Sequence, residues 1–144
     1  GLLHDIGKLQ IPDEIIEGHN PLTAQEFNIM KGHSFGTRQV LKRLHAIDEL
    51  ASWAYYHHET PDGQGYPFHV GGAALPLEAR IINVADVFQA LAQDRPYHRP
   101  LEPAEILAIL KDRVANGKAD ALVVATVEAD LDNCHRIALC RPSC

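Results

Sequence analysis

Along most of this chain apolar residues recur every three or four positions, and short runs of glycine, proline and aspartate separate the stretches that show this pattern. That spacing is the period of a helix rather than a strand. Thr23-Ala24-Gln25-Glu26 has the form of a capping box, and Phe27, Met30, Val40, Leu41 and Leu44 continue from it as a pair of amphipathic segments broken near Gly32. A helical run over 48–58 ends in His57 and His58, and the glycine-rich stretch 59–76 that follows is too long to be structureless by accident. Helical patterning resumes over about 77–92, from Pro103 to Asn116, and from Asp120 to about Leu139. Pro103 suits a first turn and Gly117 a C-terminal stop. No alternating stretch of useful length, internal repeat or low-complexity segment is found, so the pattern predicts an all-α fold.

Composition changes this picture little. A chain of 144 residues, 46% hydrophobic and 22% charged, is long enough for one domain with a proper core. Its net charge of -6 offers no electrostatic footprint for DNA or RNA. A nucleotide can still be bound where cations are local and metals supply the rest. No run of eighteen apolar residues and no signal peptide is seen, so no membrane contact by this segment is expected and the reading is cytoplasmic. Cys134, Cys140 and Cys144 are odd in number and crowded at the end, which reads as free thiols in a reducing compartment. Their spacing with His135 fits no zinc pattern.

The chemistry lies where polar residues interrupt the apolar pattern. His57 and His58 stand against a loop built from glycine, aspartate and proline, His4 and Asp5 sit in an apolar turn with Lys8 one turn on, and His33 follows. Asp86 lies between Ile82 and Ala90 on one helical face, where a bare carboxylate is expensive. Imidazole and carboxylate ligands without thiolate suit iron, manganese, zinc or nickel. A carboxylate can bridge two metals about 3.5 to 4 Å apart, and such a pair suits phosphoester hydrolysis, in which one oxygen attacks and another leaves in line.

Taken together, these motifs resemble the HD-GYP domains, a branch of the HD metal-dependent phosphohydrolases. The residues carrying the likeness are His4-Asp5-Ile6-Gly7-Lys8, His33, and His57-His58-Glu59 with Asp62, Gly63, Gly65, Tyr66 and Pro67, followed by Leu75-Pro76-Leu77-Glu78-Ala79-Arg80 through Asp94-Arg95-Pro96-Tyr97. The resemblance implies an HD-domain helical bundle over 1–139, with 140–144 as a tail, and a long GYP loop between helices. It implies a cyclic di-GMP phosphodiesterase that opens its substrate to linear pGpG and onward to GMP, with two or three divalent metal ions, iron or manganese, as cofactors. In that reading Asp5 bridges the metals, His4 and Asp86 each complete a shell, and His33, His57 and His58 fill the rest. Lys8 neutralises phosphoryl charge, and Arg95 with His98 holds the other phosphate. The loop residues Asp62, Gly63, Gly65, Tyr66 and Pro67 shape the approach to ligand and metal, and GGDEF-domain proteins are implied as partners of this loop.

Three departures qualify the resemblance. The family draws further ligands from a helix upstream of the His-Asp pair, for which this sequence has no room before Gly1, so an N-terminally truncated domain is expected. His98 stands where a permanent cation is usual, and Gln89 where an acid is common. These departures keep a second expectation in view, a catalytically weak or inactive module that binds cyclic di-GMP or a GGDEF partner.

Overall fold

Thr23 opens the longest helix with both halves of the capping box in place. Its hydroxyl accepts from the Glu26 N–H at 3.3 Å, and the Glu26 carboxylate accepts from the Thr23 N–H at 2.8 Å. The computed structural model describes residues 3–18, 20–43, 48–94 and 99–139. A 3-10 helix, Ile6–Gln10, precedes α1 (Asp13–Ile16), α2 (Ala24–Leu41), α3 (Asp48–Tyr55), α4 (Leu77–Ala92), α5 (Pro103–Ala115), α6 (Ala121–Ala129) and α7 (Leu131–Leu139). A second 3-10 turn, Gly72–Ala74, lies in the loop before α4. Among the described residues there is no strand, and no helix is long and apolar enough to cross a membrane.

Three boundaries differ from the expectation. α2 runs unbroken through Gly32, because one glycine costs a helix interior only about 1 kcal/mol. Burial of His33, Ser34, Thr37 and Leu41 on the inner face outweighs that cost. α3 stops at Tyr55, and the two histidines sit in the turn beyond it, where the Glu59 N–H reaches back to the Tyr56 carbonyl at 2.8 Å. The stretch after Asp120 is two helices, since Asp130 leaves the helical region at φ -138°, ψ 44°. That bend lets Val124 of α6 and Leu131, Cys134 and Ala138 of α7 all reach one core.

That core gathers Val84, Phe88 and Ala92 of α4 with Ile106 and Leu110 of α5, Ala119 and Val124. A smaller one joins Leu41 of α2 to Ala51 and Ala54 of α3, with Ile6 and Tyr55 alongside. Between α2 and the first 3-10 helix the backbones nearly touch: a Cβ on Gly7 would lie 1.9 Å from the His33 carbonyl oxygen. Thr37 locks this contact, accepting from the Gly7 N–H at 3.0 Å and donating to the His4 carbonyl at 3.1 Å. The His4-Asp5 turn is thereby fixed against the helix that carries His33.

Candidate metal centre

Four elements deliver six side chains to one place. His4 and Asp5 come from the turn before the first 3-10 helix, His33 from α2, His57 and His58 from the turn after α3, and Asp86 from α4. Asp5 is the hub, lying with Oδ1 3.4 Å from His33 Nε2 and 4.0 Å from His57 Nε2. Its Oδ2 lies 3.4 Å from His4 Nε2 and 2.6 Å from Lys8 Nζ. Asp86 Oδ1 stands 3.7 Å from His4 Nε2, so His4 and Asp86 share one side of the hub. Donor atoms of His33, His57 and His58 fall within 4.8 Å of one another, as do those of His4, Asp5 and His57.

Hydrogen bonds settle which ring nitrogens face the centre. His33 Nδ1 lies 2.6 Å from the Met30 carbonyl and His57 Nδ1 2.5 Å from the Ala54 carbonyl. A carbonyl only accepts, so each Nδ1 carries the proton and each Nε2 presents a lone pair inward. The His57 Nε2 is fully buried without a hydrogen-bond partner among the described residues. An orphaned acceptor in a shell of imidazole and carboxylate is what a divalent cation satisfies. The donor set therefore fits a metal, with no thiolate in it.

Burial keeps these rings neutral. It pushes the His57 imidazole down to about 4, against the help of its Ala54 hydrogen bond, and lowers His33 as well. For His58, burial acts first and the neighbouring His57 and His33 add to it, bringing it to about 2. Burial opposes the charge on Asp86, but the His4 hydrogen bond and the surrounding imidazoles outweigh it and hold the carboxyl at about 2. Neutral imidazole beside ionised carboxylate is the protonation state a metal needs.

The loop after His58 is tied down from within. Glu59, which is fully buried, accepts from the Phe68 N–H at 2.6 Å and the Val70 N–H at 3.0 Å. Asp62 accepts from the Thr60 hydroxyl and from the Gln64 N–H, and Gly63 turns the chain at φ +73°. Gly65 passes so near that a Cβ there would lie 2.4 Å from Glu59 Cα. Tyr66, joined to Pro67 by a cis bond, stacks on His58 at 4.8 Å. Its hydroxyl is raised above the ordinary range, first by burial and then by the charges of Asp86 and Asp5.

The structure thus brings together His4, Asp5, His33, His57, His58 and Asp86, with Lys8 and Tyr66 at the edge. Asp62, Gly63, Gly65 and Pro67 shape the loop rather than face the centre. Arg95 and His98 lie outside the described residues, as do Cys140 and Cys144. Gln89 is exposed and lines an apolar groove with Phe88, Cys134 and Ile137. Sequence reasoning gave no role to Glu59, Thr37 or Asn83. The Asn83 amide donates to the His57 carbonyl at 2.8 Å, and its place one turn before Asp86 on α4 was the available signal.

A family model described as an HD domain matches residues 1–123. The chain belongs to the HD-domain family. Members are metal-dependent phosphohydrolases, which agrees with the donor cluster. The chain is similar to 3'3'-cGAMP-specific phosphodiesterase 1 of Vibrio cholerae, 37% identical over 96% of this chain and 32% of that protein. It is 46% identical, over 66% of its length and 26% of the relative's, to the cyclic di-GMP phosphodiesterase response regulator RpfG of Xanthomonas campestris pv. campestris. A cyclic di-GMP phosphodiesterase of Thermotoga maritima matches at 43% over 71% of the chain and 29% of its own length. The chain therefore spans about a third or less of these relatives.

Proposed function

We propose that this HD domain, running over 1–139, holds two divalent metal ions, iron or manganese, and hydrolyses cyclic di-GMP to pGpG and onward to GMP. The observation that supports this best is the orphaned Nε2 of His57, the residue common to both donor sets, with Asp5 beside it. His33, His57 and His58 would hold one ion and His4 with Asp86 the other, and Asp5 would serve both. When bound, such a pair polarises the phosphoryl group and supplies a nucleophile at neutral pH. The protein's own part is positional: the Met30 and Ala54 carbonyls aim two imidazoles, and α4 sets Asp86 against His4. Lys8, paired with Asp5 and partly open to solvent, would turn its ammonium to a phosphoryl oxygen. Arg95 and His98 would hold the second phosphate, and the GYP loop would also meet GGDEF-domain partners.

The test is hydrolysis of cyclic di-GMP by protein loaded with manganese or, anaerobically, with iron. Activity is expected to fall to background in Asp5→Ala, with metal content reduced, because among the described residues no other carboxylate lies against both His33 and His4. Full activity of Asp5→Ala at unchanged metal content would overturn the reading.

A further inference from the structure

A line of rings leads away from the metal centre. Tyr66 stacks on His58 at 28° between planes, and it meets Phe27 of α2 edge to face, with ring centroids 6.4 Å apart and planes at 75°. Over both lies Lys31, one turn after Phe27, with Nζ 4.7 Å from the Phe27 centroid and 5.5 Å from that of Tyr66. Phe27 keeps 45% of its surface exposed, although α2 has buried faces available to it. Among the described residues Lys31 takes no carboxylate partner, so its outward N–H groups remain free to bond a ligand.

A second cation over rings occurs on the same helix, but it does something else. Arg38 sits 5.7 Å from Tyr55 and 5.1 Å from Phe68. Tyr55 packs against the Leu41, Ala51 and Ala54 cluster, and the Phe68 amide is held by Glu59. That arrangement clamps the loop to α2. The Phe27 and Lys31 pair has no such burden and borders the centre through Tyr66.

We propose that Phe27 and Lys31 form a purine-recognition shelf beside the metal centre, selective for guanine. This rests on reading the site as a cyclic-dinucleotide phosphodiesterase. With one phosphodiester at the metals, the bases of such a ring must lie along the walls of the site. Phe27 offers a half-exposed ring for stacking, which every base accepts. Lys31 supplies the discrimination. Guanine presents two acceptors, O6 and N7, to a donor at that edge, whereas adenine presents N7 beside an amino group. An ammonium has only donors, so it bonds both guanine atoms and meets a competing donor on adenine.

The experiment uses metal-loaded protein, with cyclic di-GMP and cyclic di-AMP as probes. Lys31→Met, which keeps side-chain length but not charge, is expected to raise Kd and KM for cyclic di-GMP about tenfold, the scale of one good base contact. The loss should appear in KM rather than kcat. The Kd for cyclic di-AMP should change by less than about twofold, so the preference between the nucleotides narrows, while Lys31→Arg should retain it. Phe27→Leu should weaken both nucleotides alike. An unchanged preference in Lys31→Met, in a protein that hydrolyses cyclic di-GMP, overturns the shelf alone. A wild-type protein that splits bis(p-nitrophenyl) phosphate but binds neither nucleotide overturns the shelf and the substrate reading together.

Discussion

His57 shows what one side chain contributes at the smallest scale. In the folded protein its imidazole stays neutral down to about pH 4, whereas an unfolded chain takes up the proton near its ordinary 6.5. Below 6.5 the unfolded state therefore binds more protons. The stability that the neutral ring confers is complete above that value and is lost as pH falls toward 4. At about 1.4 kcal/mol per unit the loss reaches about 3 kcal/mol. Urea titrations of chelated protein between pH 4.5 and 7.5 should show this slope, with His33 and His58 adding to it, and His57→Gln should make it shallower; equal slopes in the two proteins would exclude His57 as a source. The candidate ligands that the fold brings together were legible because imidazole and carboxylate in an apolar pattern are costly without a task. Asn83 was legible only as an amide one turn before Asp86, since its bond to a carbonyl 26 positions away leaves no local trace.

At the scale of elements, the loop between α3 and α4 is a built object, and its central staple is Glu59. Glu59→Ala leaves the Phe68 and Val70 amides without their acceptor, at about 1–3 kcal/mol for each. Gly65→Ala drives a methyl into the backbone of Glu59 and Thr60, which cannot swing aside, and should cost about 2 kcal/mol or more. Both variants should also lose metal affinity in a calorimetric titration, because the loop begins at His57 and His58 of the candidate centre. Wild-type affinity in either would show that the loop and the centre are independent. Helix starts were readable here from local chemistry, with Thr23 and Glu26 reciprocally bonded and Pro103 at a first turn. The failures at Gly32 and Asp130 have one cause. Whether a helix continues or bends was decided by which core its inner face could reach, and a contact between distant segments is invisible to a local window.

Across the whole molecule α4 belongs to two neighbourhoods. Val84, Phe88 and Ala92 face the larger core with α5, α6 and α7, while Asn83 and Asp86 look toward the histidines. Arg80 joins the halves on the outside, bonding the Leu75 carbonyl at 2.9 Å and the α6 N-cap Asp120 at 2.9 Å. That tie is polar and partly exposed, so its strength is modest. The all-helical architecture was readable from periodicity, but this unequal division of apolar contacts was not, since it depends on which helices meet. It also means that cohesion is unevenly supplied. Among the described residues the amino-terminal half has a small buried apolar cluster, Leu41, Ala51 and Ala54, and the six side chains of the candidate centre meet where a hydrophobic centre would otherwise stand. In that half the proposed cations would take the place of a core. Chelation should then speed amide hydrogen exchange in α2 and α3 while α5, α6 and the far end of α4 stay protected, giving a protein that loosens from one end. Uniform acceleration along the chain would mean that the two neighbourhoods open as one.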